Sequence, residues 1–355
     1  MLDDKLKALW TRISPPQKAA FFGCLLSGYL VHLYVFTNII PNSDGLSRIF
    51  DPQQMTVSGR WFLHFASYFN GFTQMPAVIG LFSVLFLALA AALAVSLLGI
   101  RSRALSALSG ALMAAFPAVG YTFLYLFTAS AYCFAIFLAV LSVSLARRGR
   151  WHWLAGCLLL ACSMGTYQAY VTVAIGLSLL VIFRETLDPS ASFSATLRLG
   201  VRLMLFLAAG AVLYYGILLV FLQVKDLELL SYLGMDAASS GYPFSRLPGL
   251  LLDTYKQVAA FFFLPGSANT FTSGWMAVLD LAALALGGGC FLLCMGQEGL
   301  WRARWRPLGG LAMLALLPLG INFGQILSPW SAPTPLMKYA FVLVYLAVVL
   351  LVHVG

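Results

Sequence analysis

The residues best suited to chemistry gather outside the longest apolar runs. Asp44 sits in Pro41-Asn42-Ser43-Asp44-Gly45, Asp51 follows seven residues later, and Arg60 opens an aromatic stretch. A carboxylate and a guanidinium held near each other can divide one group transfer between them. The carboxylate accepts the proton of an attacking hydroxyl, worth typically about 10²–10⁴-fold in rate. The guanidinium holds a phosphate through paired hydrogen bonds. Asn-Ser-Asp-Gly is also ordinary turn chemistry, and Asp51 before Pro52 reads first as a turn or cap residue. His64 lies one helical turn beyond Arg60.

Further candidates are scattered. Lys225, Arg246 and Lys256 lie in a second polar stretch with Asp226, Glu228, Asp236 and Asp253. Each cation suits a lipid phosphate, and each equally suits snorkelling or a surface ion pair. Lys338 is an isolated cation beside the last apolar run. Tyr167, Gln168 and Tyr170 cluster at the turn of a short apolar hairpin, and an amide there needs a hydrogen-bond partner in protein or an aqueous cavity. Asp280, Asn322 and Gln325 fit contacts between helices, and His32 fits packing. The six cysteines lie in or beside apolar runs and read as buried free thiols. Cys290 and Cys294 are one turn apart, but no His or carboxylate completes a zinc pattern. No phosphate-cradling glycine motif or nucleophile elbow is present.

What must position these residues follows from composition. The chain has 355 residues, 61% hydrophobic and 9% charged. A soluble domain carries about 25% charged residues. The composition excludes a soluble enzyme, a disordered chain and a disulfide scaffold, and predicts an all-α integral membrane protein forming one polytopic domain over 1–355. With about 20 apolar residues per span, about ten spans are expected: Ala19–Ile40, Pro76–Ile100, two within Ala104–Ala146 broken near Phe116–Tyr121, two short ones within Trp153–Phe183 turning near Ser163–Gln168, then Gly200–Leu222, Met276–Met295, Pro307–Ile326 and Met337–Val354. The net charge of +9 comes from short basic clusters between spans. It therefore marks topology, not nucleic acid. The clusters at 5–18, 101–103, 147–150, 184–202 and 302–306 all fall on one side, which predicts that both termini are cytoplasmic. Lys338 falls on the other side.

That other side carries two long connections, Pro41–Met75 and Gln223–Thr272. They are too aromatic for disorder and long enough to be functional. With Ser58 as N-cap, Trp61, Phe62, Phe65, Tyr68 and Phe69 predict an amphipathic interfacial helix to about Asn70. A second such helix is expected over Leu247–Phe263. Charge is sparse inside the spans, whereas coupled transporters need it there. The pattern favours an enzyme acting at one face on a lipid-embedded substrate. A flippase for polyprenyl-linked sugars is the rival reading, and a non-catalytic assembly subunit a third.

Asn42-Ser43-Asp44-Gly45-Leu46, Ser58-Gly59-Arg60-Trp61 and Gly165-Thr166-Tyr167-Gln168-Ala169-Tyr170, in this order among the spans, resemble the bacterial type II glucosyl transferases that decorate O-antigens and related surface glycans. The resemblance implies a GT-C-like membrane fold in the bacterial inner membrane with a periplasmic active face. It also implies a hexose, expected to be glucose, moved from an undecaprenyl-phosphate donor to a hydroxyl of a glycan or lipid-linked glycan acceptor. Asp44 matches the acidic residue that such enzymes use as base in the first outer loop. Ser43 precedes it where many relatives have a second acid, so a second carboxylate must come from Asp51 or be absent. No clear ligand set supports a divalent metal, and no cofactor is assigned. Arg60 becomes the leading phosphate ligand, with Lys338 or Arg246 next. The prenyl tail is expected between the spans and the Trp61–Phe69 helix.

Overall fold

The computed structural model describes residues 10–40, 42, 44–45, 50–230, 244–266, 272–297, 300–328 and 334–355. The first helix, α1 (Pro15–Thr37), begins at a capping box. Gln17 N–H donates to Ser14 Oγ, Ser14 N–H donates back to Gln17 Oε1 at 3.0 Å, and Pro15 needs no donor at the first position. After a long connection come α2 (Pro76–Leu98), α3 (Arg103–Ala115), α4 (Pro117–Leu124) and α5 (Leu126–Ala146). Phe116 takes an extended conformation because Pro117 follows it, so α3 stops there. The chain continues through α6 (Arg150–Thr166), α7 (Val171–Leu187), α8 (Phe193–Val224), α9 (Leu247–Phe263), α10 (Gly274–Gln297), α11 (Trp305–Ile321) and α12 (Val342–Val354). Among the described residues there is no strand beyond two isolated bridges.

Among the described residues eight helical stretches are long and apolar enough to cross a membrane. Two of the ten expected spans are not among these eight, α6 and α11, each of 17 residues. α6 runs along α5 and α8, and α11 along α7. Small residues bring helices close. An added Cβ at Gly23 or Gly110 would collide with the backbone of Ala107 or Ala20, so α1 and α3 touch almost backbone to backbone. The outward faces stay apolar, as at Leu26, Leu30 and Tyr34 of α1 and Met204, Val212 and Val220 of α8. Such faces suit contact with lipid tails.

One end of the bundle is fastened by arginines on helix C-termini, whose last carbonyls lack partners within the helix. Arg184 Nη1 donates to Leu97 O at 3.1 Å, and Arg147 reaches the same carbonyl at 3.5 Å and Glu185 at 3.5 Å. The left-handed Gly99 (φ 69°) makes room, since a Cβ there would lie 2.7 Å from Arg184 Cζ. Arg306, buried, donates to the carbonyls of Thr186, Asp188, Pro189 and Ala191 and thereby closes the α7–α8 turn. The backbone of Arg101 donates to His353 Nε2 near the end of α12. The basic clusters of the connections 101–103, 147–150, 184–202 and 302–306 therefore share one end of the bundle.

The interfacial helix expected from Ser58 to Asn70 does not form as one helix. Ser58 closes a 3-10 turn and its Oγ donates to Met55 O, so it caps nothing. A single α-turn, Leu63–Ala66, is followed by a 3-10 turn, Ser67–Asn70. Left-handed backbone at Gly59 and Gly71 breaks the run at both sides. Trp61 points inward and is buried, while Phe65, Tyr68 and Phe69 are exposed. The second expected helix, Leu247–Phe263, is present as α9.

Candidate active site

The opposite end of the bundle gathers polar side chains around the turn at 57–62. Three successive carbonyls of this turn accept hydrogen bonds from three distant parts of the chain. Leu230 N–H donates to Val57 O (2.9 Å), Gln168 Nε2 to Ser58 O (2.7 Å) and Tyr214 Oη to Gly59 O (3.1 Å). The next link is Phe62 N–H to Gly165 O at 2.7 Å. Gly165 is required here, because the indole of Trp61 lies against it with Cε2 2.5 Å from where a Cβ would sit. On its other side Trp61 stacks on Phe221 of α8, with centroids 5.7 Å apart at 17°. A turn tied at so many points presents its one charged residue, Arg60, in a fixed place.

Arg60 is half-buried. Its Nη1 donates to Tyr132 Oη at 3.2 Å, and its guanidinium carbon lies 4.9 Å from the Tyr167 ring centre. Tyr132 and Tyr167 are themselves stacked at 4.7 Å, and both meet Tyr170 edge-on. The guanidinium thus rests on a tyrosine shelf whose faces are electron-rich and whose edges are buried. A phosphate oxygen is the kind of ligand a guanidinium suits.

Asp44 is exposed. Its amide donates to Asn42 Oδ1 at 2.8 Å, and Gly45 N–H donates to Asn42 O, so the segment is a turn. Among the described residues its carboxylate makes no hydrogen bond or ion pair. The neighbouring Gly45 is held by Gln74 Nε2 and lies against the Phe127 ring at the start of α5. Tyr132, which holds Arg60, is five residues further along α5, about 7.5 Å at 1.5 Å per residue. The turn of Asp44 and the shelf of Arg60 therefore share one helix end.

The other expected residues fall in three places. Asp51 is a turn residue, with Oδ1 accepting from Gln53 N–H at 3.0 Å. His64 is in the loop's own aromatic cluster, stacked on Phe72 at 5.0 Å, with Nδ1 against Pro52 O and away from Arg60. Lys225 is exposed, with Nζ 5.5 Å from the centre of the Phe221 ring on which Trp61 stacks. Arg246 is exposed at the start of α9. Lys256 pairs with Asp253 on the surface at 3.4 Å. Lys338 is buried in a 3-10 segment, Pro335–Phe341, with Nζ 5.8 Å from the Phe261 ring centre. Its neighbour Tyr339 meets Tyr170 edge-on, which joins this segment to the Tyr167–Tyr170 hairpin. Asp236 lies outside the described residues. Asp280 and Asn322 serve helix contacts, Asp280 Oδ1 accepting from Tyr345 Oη at 2.7 Å and Asn322 Nδ2 donating to Gln257 at 3.1 Å.

Tyr132 and Tyr214 were not singled out in the sequence. Each lies in an apolar helix, and its partner is 72 or 155 residues away. Among the described residues no three His, Cys, Asp or Glu side chains gather to hold a metal ion. An apolar cleft of about 640 Å³ runs between α9, α10, α11 and α12, walled by Phe262, Gly287, Gly288, Phe291 and Val348 among others.

An all-α bundle with membrane-length apolar helices, and with arginine, tyrosine, amide and carboxylate groups collected at one end, defines a polytopic membrane protein. The match that makes this specific is to the family described as Glucosyl transferase GtrII, which covers residues 33–351 and so includes every site residue described above. The chain belongs to this family, and glucosyl transfer is the activity that membership supports in broad terms. No curated protein and no solved structure matches the chain.

Proposed function

We propose that the protein transfers glucose from a polyprenyl-phosphate donor to a hydroxyl of a surface glycan, at the membrane face that carries Asp44 and Arg60. The observation that carries this reading is the contrast between the two groups. Asp44 is exposed to water, whereas Arg60 is half-buried on its tyrosine shelf at the same end of α5. The acceptor is a water-borne hydroxyl and the donor phosphate hangs from a membrane lipid, so each group faces the reactant it would serve.

In the proposed step Asp44 takes the proton of the acceptor hydroxyl. The hydroxyl oxygen bonds to the anomeric carbon as the bond from that carbon to the phosphate oxygen breaks. The electron pair leaves with the polyprenyl phosphate, whose new charge Arg60 neutralises. Lys338 and Lys225 border the same end and are second phosphate contacts. Gln168 acts as a positioning residue through Ser58 O. The tail follows the apolar cleft between α9, α10, α11 and α12 instead of the Trp61–Phe69 segment, where Trp61 is packed shut. The basic end lies in the cytoplasm and the site in the periplasm of a bacterial inner membrane.

The test is sugar transfer by purified protein in liposomes, with labelled polyprenyl-phosphate glucose and a lipid-linked glycan acceptor. Wild type should transfer label, and Asp44→Asn should lose about 10²–10⁴-fold while still retaining donor. Equal transfer by both would remove Asp44 as base. Donor crossing between leaflets without transfer would replace the enzyme by a flippase.

A further inference from the structure

A second cavity lies at the arginine-fastened end, remote from Arg60. It is a groove of about 650 Å³ between the start of α6 and the first turns of α8. Leu197, Val201 and Trp153 form its apolar wall, and Arg150, Arg198 and Arg202 stand around it.

These arginines differ from their neighbours at the same end. Arg147, Arg184 and Arg306 are committed to Glu185 or to helix carbonyls. Among the described residues no carboxylate pairs with Arg150, Arg198 or Arg202. Arg198 Nε reaches only a carbonyl of its own helix, Ser194 O, at 3.2 Å, and Arg150 lies 5.9 Å from the centre of the exposed Trp151 ring. Trp153 Nε1 donates to Arg202 O at 3.5 Å, which fixes the indole across the groove. Three guanidiniums without a protein counter-ion thus border one apolar slot.

Depth decides what can enter. The 32 residues of α8 span about 48 Å, against about 30 Å of bilayer hydrocarbon. The helix therefore runs into the headgroup layer, and Arg198 and Arg202, within its first ten residues, stand there. Leu197 and Val201 are more than a third exposed beside them. Charge outside and hydrocarbon inside is the pattern that basic pockets between membrane helices offer to anionic lipid headgroups. We propose that this groove binds an anionic glycerophospholipid, its phosphate held by Arg150, Arg198 and Arg202 and one acyl chain laid against Leu197 and Val201. The site is separate from the one that holds Arg60 and does not depend on the transferase reading.

The experiment is native mass spectrometry of the delipidated full chain in detergent, titrated with phosphatidylglycerol, phosphatidylcholine, polyprenyl phosphate and inorganic phosphate. Phosphatidylglycerol should be retained in preference to the other three. A triple variant, Arg150→Gln with Arg198→Gln and Arg202→Gln, should weaken that retention on the order of 100-fold, at about fivefold per arginine. Val201→Trp fills the slot without changing charge and should weaken it as well, which keeps the test decisive if the triple variant fails to fold. Equal retention of phosphatidylcholine, or unchanged retention by Val201→Trp, overturns the proposal. So does displacement of the bound phosphatidylglycerol by polyprenyl phosphate or by inorganic phosphate alone.

Discussion

Gly165→Ala tests the claim that packing of the hairpin at 163–170 sets the position of Arg60. The new Cβ would lie 2.5 Å from Trp61 Cε2 and 2.8 Å from Cζ2. Carbon atoms settle at about 3.5–4.0 Å, so the indole must retreat by about 1 Å. It cannot do so freely, because Phe221 stacks on its other face and the Phe62–Gly165 hydrogen bond fixes the backbone beside it. The overpacking should cost about 1–3 kcal/mol of stability. The retreat should carry Arg60 with it, and a misplacement of about 1 Å at a positioning group can cost about 10²-fold in rate. The assay pairs thermal unfolding in detergent with the transfer reaction, and compares Gly120→Ala, whose Cβ would meet nothing within 4 Å. Gly120→Ala should be near wild type in both. Adding Trp61→Phe to Gly165→Ala should restore part of the stability by returning the lost space. If Gly165→Ala alone melts and transfers like wild type, the Trp61 contact does not position the site and the reasoning fails.

Three further outcomes follow. Arg60→Lys keeps the charge but loses the planar fork and the shelf contact, so transfer at saturating donor should fall more than donor binding does, read as a split between kcat and KM. Tyr132→Phe removes the hydroxyl that accepts from Arg60 and leaves the stacked ring in place; the loss of a charged hydrogen bond should appear as about 1.5–3 kcal/mol in transition-state stabilisation, with little change in unfolding temperature. Arg306→Met removes the donor that serves four carbonyls of the α7–α8 turn and should destabilise by about 3 kcal/mol without selectively affecting transfer. A specific loss of donor binding in that variant would contradict its structural role.

Apolar run length and charge made the helices legible. The break before Pro117 and the turn at Tyr167 were readable too, because proline geometry and a short apolar run flanked by basic clusters are local signals. The amphipathic helix from Ser58 was misread for a definite reason. Aromatics at i, i+3 and i+4 look alike in a surface helix and in a chain of turns, and what separates them here is that Trp61 fits only against Gly165, 104 residues away. The role of Arg60 was read from charge, but its support was not, since Tyr132 and Tyr214 carry no signature that distinguishes a polar partner from a core aromatic. Arg306 was read as a topology marker, and its capping role depends on α11 packing against α7, which no local pattern encodes.

The two ends of the bundle use the same residue type differently. At one end Arg147, Arg184 and Arg306 meet carbonyls at helix C-termini and turns, where the backbone presents partial negative charge, and their function is spent on holding the turns closed. At the other, Arg60 donates to Tyr132 Oη and lies over the Tyr167 ring. Partial burial strengthens the field of such a guanidinium relative to water. The same burial makes the cation sensitive to what holds it. Under the proposed reading, then, rate should respond to the neutral scaffold of Gly165, Trp61, Tyr132 and Gln168 almost as strongly as to Arg60 itself, whereas neutralising the exposed Lys225 should chiefly change the salt dependence of donor capture. A ranking with Lys225 above the scaffold residues would place the phosphate outside the tyrosine shelf.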